Sequence, residues 1–151
     1  MTGYELAERL ARVLGLKELE YGEANQIVYA ADRIANSSDA NAVPLVSYLI
    51  GLADVSASSY PQYVDMVANA AEQEADGDER WTVYQYAEEA ARLMNKSQLT
   101  DSECEQVLDN LQEGLMHSEP LALPLITYLA GRAHLSPSEI GQRVGEAVRA
   151  P

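Results

Sequence analysis

The sequence contains a single cysteine, Cys104, and only two lysines, Lys17 and Lys96. One cysteine excludes a disulfide within the chain. Cys104 lies near the start of a predicted helix, which favours the thiolate, but the flanking Glu103 and Glu105 oppose it and raise the pKa of the thiol. We therefore expect no reactive thiol.

Long apolar runs are also missing. Proline, serine or glycine interrupts each apolar stretch, so no segment is long enough to cross a bilayer. Residues 1–15 are amphipathic and lack the charged and then apolar order of an export signal. We therefore expect a cytoplasmic protein without a membrane-spanning segment.

Known catalytic motifs are absent as well. The chain has no Gly-rich phosphate loop, no nucleophile elbow, and no zinc-protease or di-iron helix motif. Glu113 and His117 stand four residues apart on one predicted helical face, but two ligands do not make a metal site. Such a pair near a helix C-terminus is more often a surface contact. We predict no enzymatic activity, no metal and no cofactor, and keep a metal enzyme using this pair as a minor alternative.

Basic residues are scarce relative to acidic ones. Ten Lys and Arg against 24 Asp and Glu give a net charge of −14, divided as −5 for residues 1–71, −4 for 72–80 and −5 for 81–151. Such a surface repels nucleic acid phosphates and anionic membranes, and it attracts basic proteins. A salt-adapted or GC-rich proteome produces the same balance without any function. Both interpretations stay open.

An internal repeat is the strongest positive feature of the sequence. Residues 1–71 aligned on 81–151 give 22 identities over 71 positions without a gap, where unrelated segments give roughly 5. The identities concentrate between residues 41–68 and 121–148. They include the pairs Pro44/Pro124, Tyr48/Tyr128, Gly51/Gly131, Ser56/Ser136 and Val64/Val144.

Apolar residues recur at helical spacing in both halves, and nowhere do they alternate with period two over a useful length. Capping boxes are predicted at Thr100–Glu103 and Ser136–Glu139. We predict an all-α fold: a tandem duplication of a roughly 70-residue four-helix unit, packed as a pseudo-twofold helical bundle. The predicted parts are helical repeat 1 over 1–71, an acidic linker over 72–80 and helical repeat 2 over 81–151.

The shared third helix of each half admits two interpretations. Gly51/Gly131 and the adjacent alanines fit a tight corner in which a helix ends close to its neighbour. Alternatively, Tyr48 and Tyr128 are twin residues that contact a partner protein from equivalent faces.

One segment resembles the small acidic four-helix immunity proteins that block nuclease bacteriocins. In those proteins a tyrosine-bearing third helix is followed by a proline-containing cap and a last helix. The similar residues here are Leu125, Ile126, Tyr128, Ser136, Pro137, Ile140 and Val144, within about 20 residues. The resemblance implies an inhibitor whose negative charge steers it to a basic nuclease face, with aromatic anchors supplying the affinity.

Residues 129–148 also resemble the helix-turn-helix of DNA-reading regulators, with Ala130 early in the first helix, Leu135 after the turn and Ile140 in the second helix. The resemblance implies a transcriptional regulator that binds DNA through this segment. His134 replaces the turn glycine, and an acidic chain gives phosphate binding little electrostatic support. DNA binding is therefore kept as the alternative.

Charge and the missing catalytic groups together predict a non-enzymatic, acidic, helical protein-binding module that engages a basic protein surface. An inhibitor, an immunity protein, a nucleic-acid mimic and an adaptor are all versions of this function. The chain is expected to act as a monomer or a homodimer. The predicted partner-binding residues are Tyr48 and Tyr128 as anchors, with Glu23, Asp32, Asp65, Glu103, Glu105 and Asp109 as a charged rim.

Overall fold

The computed structural model describes residues 1–37, 40–74 and 81–149, and within these ranges every regular element is a helix. The helices are α1 (Gly3–Leu14), α2 (Tyr21–Ser37), α3 (Ala42–Leu52), α4 (Tyr60–Glu74), α5 (Val83–Leu93), α6 (Asp101–Asp109), α7 (Gln112–His117), α8 (Ala122–Arg132) and α9 (Ile140–Arg149). A short 3₁₀ helix, Pro137–Glu139, precedes α9. The described part of the chain contains no strand, which confirms the all-α prediction.

The predicted capping boxes begin helices as expected. Thr100 and Glu103 exchange side-chain and backbone hydrogen bonds at the start of α6, at 3.1 and 2.9 Å. The backbone N–H of Ser136 donates to the Glu139 carboxylate at 3.1 Å and begins the 3₁₀ helix that leads into α9. These local bonds satisfy backbone donors that a helix start leaves without partners.

Several helix boundaries differ from the prediction. The single helix expected after Thr100 is divided at Asn110–Leu111 into α6 and α7. The helix α4 continues into the predicted acidic linker as far as Glu74. Residues 75–80, the rest of that linker, lie outside the described residues.

The centre of the molecule is the crossing of α3 and α8. Nearly every residue of both helices is buried, so other helices cover both of them on all sides. Neither helix has the exposed polar face of an amphipathic surface helix. They cross at Gly51 and Gly131. A Cβ at Gly51 would overlap the backbone oxygen of Tyr128, and one at Gly131 would overlap that of Tyr48. The two backbones therefore touch at a point where only glycine fits.

The first helix of each sequence half packs mainly against the other half. Helix α1 lies on α8 and α9, whereas α5 lies on α3 and α4. At the start of α1 the Gly3 N–H donates to the Glu119 carboxylate at 2.8 Å. The two halves of the sequence are thus interleaved around α3 and α8.

Turns that lie 80 residues apart adopt the same unusual backbone conformation. Gly15 and Asn95 follow α1 and α5 with φ of 71° and 56°. Asp54 and His134 follow α3 and α8 with φ of 59° and 57°. A left-handed residue after a helix allows the chain to turn sharply into the next element.

Candidate functional site

The two tyrosines predicted as partner contacts are core residues. Tyr48 is 2% exposed and Tyr128 is 1% exposed. The Tyr48 hydroxyl donates to the Leu135 carbonyl at 2.5 Å, and the Tyr128 hydroxyl donates to the Val55 carbonyl at 2.6 Å. Each ring therefore connects its own helix to the turn of the other half. Neither ring offers a surface to a partner, and the prediction that they are contact anchors is corrected.

Each buried tyrosine hydroxyl reaches a small cleft at the end of its helix. Tyr128 lines one of about 180 Å³ together with Glu23 and Arg132, whose guanidinium lies 2.9 Å from the hydroxyl. Tyr48 lines the corresponding cleft, with Glu103. Burial raises the pKa of Tyr48 to about 12, and the charge of Glu103 adds to the effect. Both hydroxyls are committed to holding the interleaved halves together.

The six predicted rim carboxylates differ in the groups that they contact. Glu23 and Glu103 accept backbone N–H groups of Glu20 and Thr100 at 2.9 Å, so they cap the starts of α2 and α6. Asp65 accepts a hydrogen bond from Arg33 at 2.8 Å.

The remaining rim residues, Asp32, Glu105 and Asp109, are exposed. Asp32 lies on α2, whereas Glu105 and Asp109 lie on α6. The predicted rim is thus divided between α2 with α4 on one side and α6 on the other.

An aromatic stripe, defined here as Tyr21, Asn25 and Tyr29, runs along the exposed face of α2. Tyr29 is 84% exposed and Tyr21 is 69% exposed. Their spacing of four residues places the three side chains on consecutive turns of one helical face. The stripe is anchored by Tyr4, whose ring centroid lies 5.0 Å from that of Tyr21 and whose hydroxyl donates to Asn25 at 2.6 Å.

An open groove lies beside Tyr29, between α2 and α4. It has a volume of about 690 Å³, and its lining residues are Asn25, Gln26, Tyr29, Ala30, Arg33, Pro61 and Asp65. Arg33 fixes the far side by donating to Asp65 at 2.8 Å, to Asn69 at 2.7 Å and to Glu72 at 3.3 Å. An apolar floor is thus bordered by oriented carboxylates.

The corresponding face of α6 is chemically different. The residues 80 positions after Tyr21, Asn25 and Tyr29 are Asp101, Glu105 and Asp109. All three are exposed and acidic. The face of α2 therefore carries two exposed tyrosines where α6 carries aspartates, and the ring next to α6 is Tyr84, whose hydroxyl donates to Glu105 at 3.4 Å.

The segment predicted as a DNA-reading motif forms a helix, a turn and a second helix. His134 occupies the left-handed position of the turn. In α9 the residues Ile140 and Val144 are buried, and Arg143 contacts Glu146 at 3.3 Å. The exposed side of α9 thus mixes basic and acidic groups.

The predicted metal pair has no described geometry, because the side chain of Glu113 lies outside the described part of the chain. Among the residues that are described, no three His, Cys, Asp or Glu side chains group closely enough to hold a metal ion. Cys104 is buried, and burial raises the pKa of its thiol to about 11, with Asp101 and the flanking glutamates adding to the effect. The expected direction of the shift is confirmed, although burial is the larger cause.

Comparison with protein-family models, curated proteins and solved structures finds no significant match to this chain. None of the described helices is long and apolar enough to cross a membrane. Function is therefore inferred from the residues of this chain alone.

Proposed function

We propose that the chain is a non-enzymatic, acidic protein-binding module that engages a basic protein surface through the exposed face of α2. The observation that carries this proposal is the 84% exposure of Tyr29 beside Asp32 and Asp65. Exposed tyrosines supply apolar contact area at low entropic cost, and they are enriched at protein interfaces.

The net charge of −14 supports a basic partner. Negative charge attracts such a partner over distances of about a Debye length, roughly 8–10 Å at physiological salt. Carboxylates around aromatic anchors then fix the orientation of the complex. Inhibitor, immunity protein, nucleic-acid mimic and adaptor all remain versions of this function, and we place it in the cytoplasm.

Affinity capture from a cell extract tests the proposal. The immobilised chain is expected to retain basic proteins at about 0.05 M salt and to release them at about 0.5 M, because screening shortens the reach of exposed charges. The double variant Tyr21→Ala/Tyr29→Ala is expected to retain much less. Its matched control is Ser102→Ala/Gln106→Ala, at two exposed and uncharged positions on α6. A retained set that ignores both salt and the tyrosine variant would contradict the proposal.

DNA binding through residues 129–148 is the second candidate, and the helix–turn–helix path of α8 and α9 favours it. Arg143 and Arg149 lie on the second helix together with Glu146, and Glu139 is the last residue of the 3₁₀ helix before it. A gel shift at low salt separates the two functions. Retarded DNA that is released by Arg143→Ala supports this candidate, and the absence of any retardation removes it.

We further propose that the chain arose by tandem duplication and packs with approximate twofold symmetry. The reciprocal bonds of Tyr48 and Tyr128 and the matching turns at Asp54 and His134 support this origin. A circular permutant tests this proposal. The permutant begins at residue 81, a short linker joins residue 149 to residue 1, and the chain ends at residue 74. Because the two halves would exchange roles, the permutant is expected to keep the helix content and one sharp melting transition.

A further inference from the structure

We infer that the groove between α2 and α4 binds a cationic amphipathic helix of another protein. This inference rests on the proposed function. One apolar side chain of that helix packs on Tyr29, between Ala30 and Pro61. Its basic side chains reach Asp32, Asp65 and Glu72. A groove between two packed helices is a common seat for an amphipathic helix.

The dimensions of the face suit a helix. Tyr21 and Tyr29 are eight residues apart on α2, which places their Cα atoms about 12 Å apart along the axis. The groove of about 690 Å³ next to Tyr29 is far larger than one side chain needs, and it is open to solvent. A helix laid on this face contacts the stripe through residues one to two turns apart.

Charge decides between a basic helix and a second copy of this chain. Asp65 and Glu72 both contact the single guanidinium of Arg33 at the edge of the groove, and the exposed Asp32 precedes Arg33 on α2. A copy of a chain with a net charge of −14 would bring like charges together on this face. A cationic helix instead brings positive charge to carboxylates that outnumber the single guanidinium of Arg33.

The second half of the molecule carries different residues at the position of this groove. Ala30 and Pro61 correspond, 80 residues later, to Asn110 and Gly141. Asn110 lies directly against Gly141 and donates to the Pro137 carbonyl at 2.8 Å. In the first half the smaller Ala30 and the larger Pro61 stand at these two positions, and both line the open groove beside Tyr29. The Asn110 contacts with Gly141 and Pro137 therefore have no counterpart at Ala30, which has no polar side chain.

The test uses the full chain and three synthetic peptides. The first is a leucine–lysine peptide of about 18 residues, about five helical turns. The second has the same composition with a central proline that prevents a continuous helix. The third is an oligolysine of equal charge. Calorimetry at about 0.05 M salt gives affinities, and amide chemical shifts show where each peptide binds.

The helical peptide is expected to bind at least tenfold more tightly than the other two, with shift changes concentrated at residues 25–33 and 61–65. Tyr29→Ala and Ala30→Asn are expected to weaken it about tenfold, as interface anchors do. The matched control Gln106→Ala, on the exposed face of α6 in the second half, is expected to change it less than about twofold. Thermal melts confirm that each variant is folded.

Two failures are distinguishable. If all three peptides bind equally, and the groove variants have no effect, the helix-binding inference is overturned while the acidic binding function stands. If no peptide binds at low salt, the proposed function itself is contradicted.

Discussion

Gly51 and Gly131 set the distance between α3 and α8, and their neighbours leave no room for a side chain. Each would direct a Cβ into the backbone of the opposite helix. A backbone obstacle cannot move as the end of a flexible side chain can, so the two helices must separate.

Gly51→Ala is expected to lower the free energy of unfolding by about 2–3 kcal/mol, because the added methyl group forces α3 and α8 apart. Chemical denaturation measures the change. Gly22→Ala is the matched control, since nothing lies within 4 Å of the added atom. It is expected to raise the stability by up to about 1 kcal/mol through helix propensity. Equal effects of the two variants would show that the crossing is not tightly packed.

The contribution of Tyr48 to folding stability is lost at alkaline pH. Its folded pKa is raised to about 12 by burial, whereas an unfolded tyrosine titrates near 10. Its contribution is therefore complete below about pH 10 and is lost as the pH rises from about 10 to 12. Tyr60, fully buried against Ser47, has its pKa raised in the same direction.

Tyr48→Phe is expected to cost about 1 kcal/mol at neutral pH, because the Leu135 carbonyl loses its donor. The variant is also expected to lose stability less steeply than the wild type above about pH 10. Urea unfolding followed across that range provides the measurement. Tyr29→Phe, on the exposed ring, is the control and is expected to match the wild type in both respects.

The buried tyrosines also show why comparison of the two halves pointed to Tyr48 and Tyr128. Identity between the halves marks what both halves need in order to fold, and Tyr48/Tyr128 belong to that set. Tyr21 and Tyr29 align with aspartates and so leave no trace in the repeat. The signal that identifies them is two large aromatic residues on the face of α2 opposite Ala24, Ile27 and Ala31.

At the scale of single elements, the local chemistry predicted helix starts well. The boxes at Thr100 and Ser136 depend on bonds within four residues, so the sequence contains all the information they need. The interruption between α6 and α7 depends on tertiary packing instead. Gly114 in α7 lies close to Leu6, Ile126 and Val144, which belong to three other helices.

The capping box before α9 makes its stability sensitive to acid. Glu139 accepts from the backbone and side chain of Ser136, and these bonds lower the pKa of its carboxyl group. A lowered folded pKa means that the contribution is present above the unfolded value and is lost as the pH falls through the folded one.

Glu139→Gln is therefore expected to make thermal stability less dependent on pH below about 4.5, since the amide oxygen still accepts but does not titrate. Melting temperatures between about pH 3 and 7 test this. Gln142→Glu, on the following helix α9, serves as a charge control. Identical acid profiles for the wild type and Glu139→Gln would exclude the capping carboxylate as a source of acid sensitivity.

We expect the whole molecule to unfold as one unit, because α1 and α5 each pack against the other half of the sequence. Because each of these helices is buried against the other half, neither half completes its core without its counterpart. Calorimetry is expected to show a single transition with equal calorimetric and van't Hoff enthalpies. Gly51→Ala and Gly131→Ala, one in each half, are expected to shift that same transition. Two resolved transitions would contradict this expectation.

This interleaving was the part of the architecture that the sequence left open. Helical periodicity identifies which residues of a helix are apolar, but it does not identify the helix that covers them. The 80-residue repeat predicts two similar sets of elements and is silent on whether α1 pairs with its own set or with the other one. Gly3 donates a hydrogen bond to Glu119, and Arg9 donates one to the carbonyl of Val148. Both contacts show that α1 pairs with the other set.

The position of α1 has a consequence for biosynthesis. Its apolar residues, including Leu6 and Leu10, are covered by α8 and α9, more than 100 residues later in the chain. A ribosome adds roughly 5–20 residues each second, so this first helix waits for several seconds before its partners emerge. Native packing of α1 therefore waits until α8 and α9 have been synthesised, and we expect the negative charges of the growing chain to keep it apart from its neighbours in that interval.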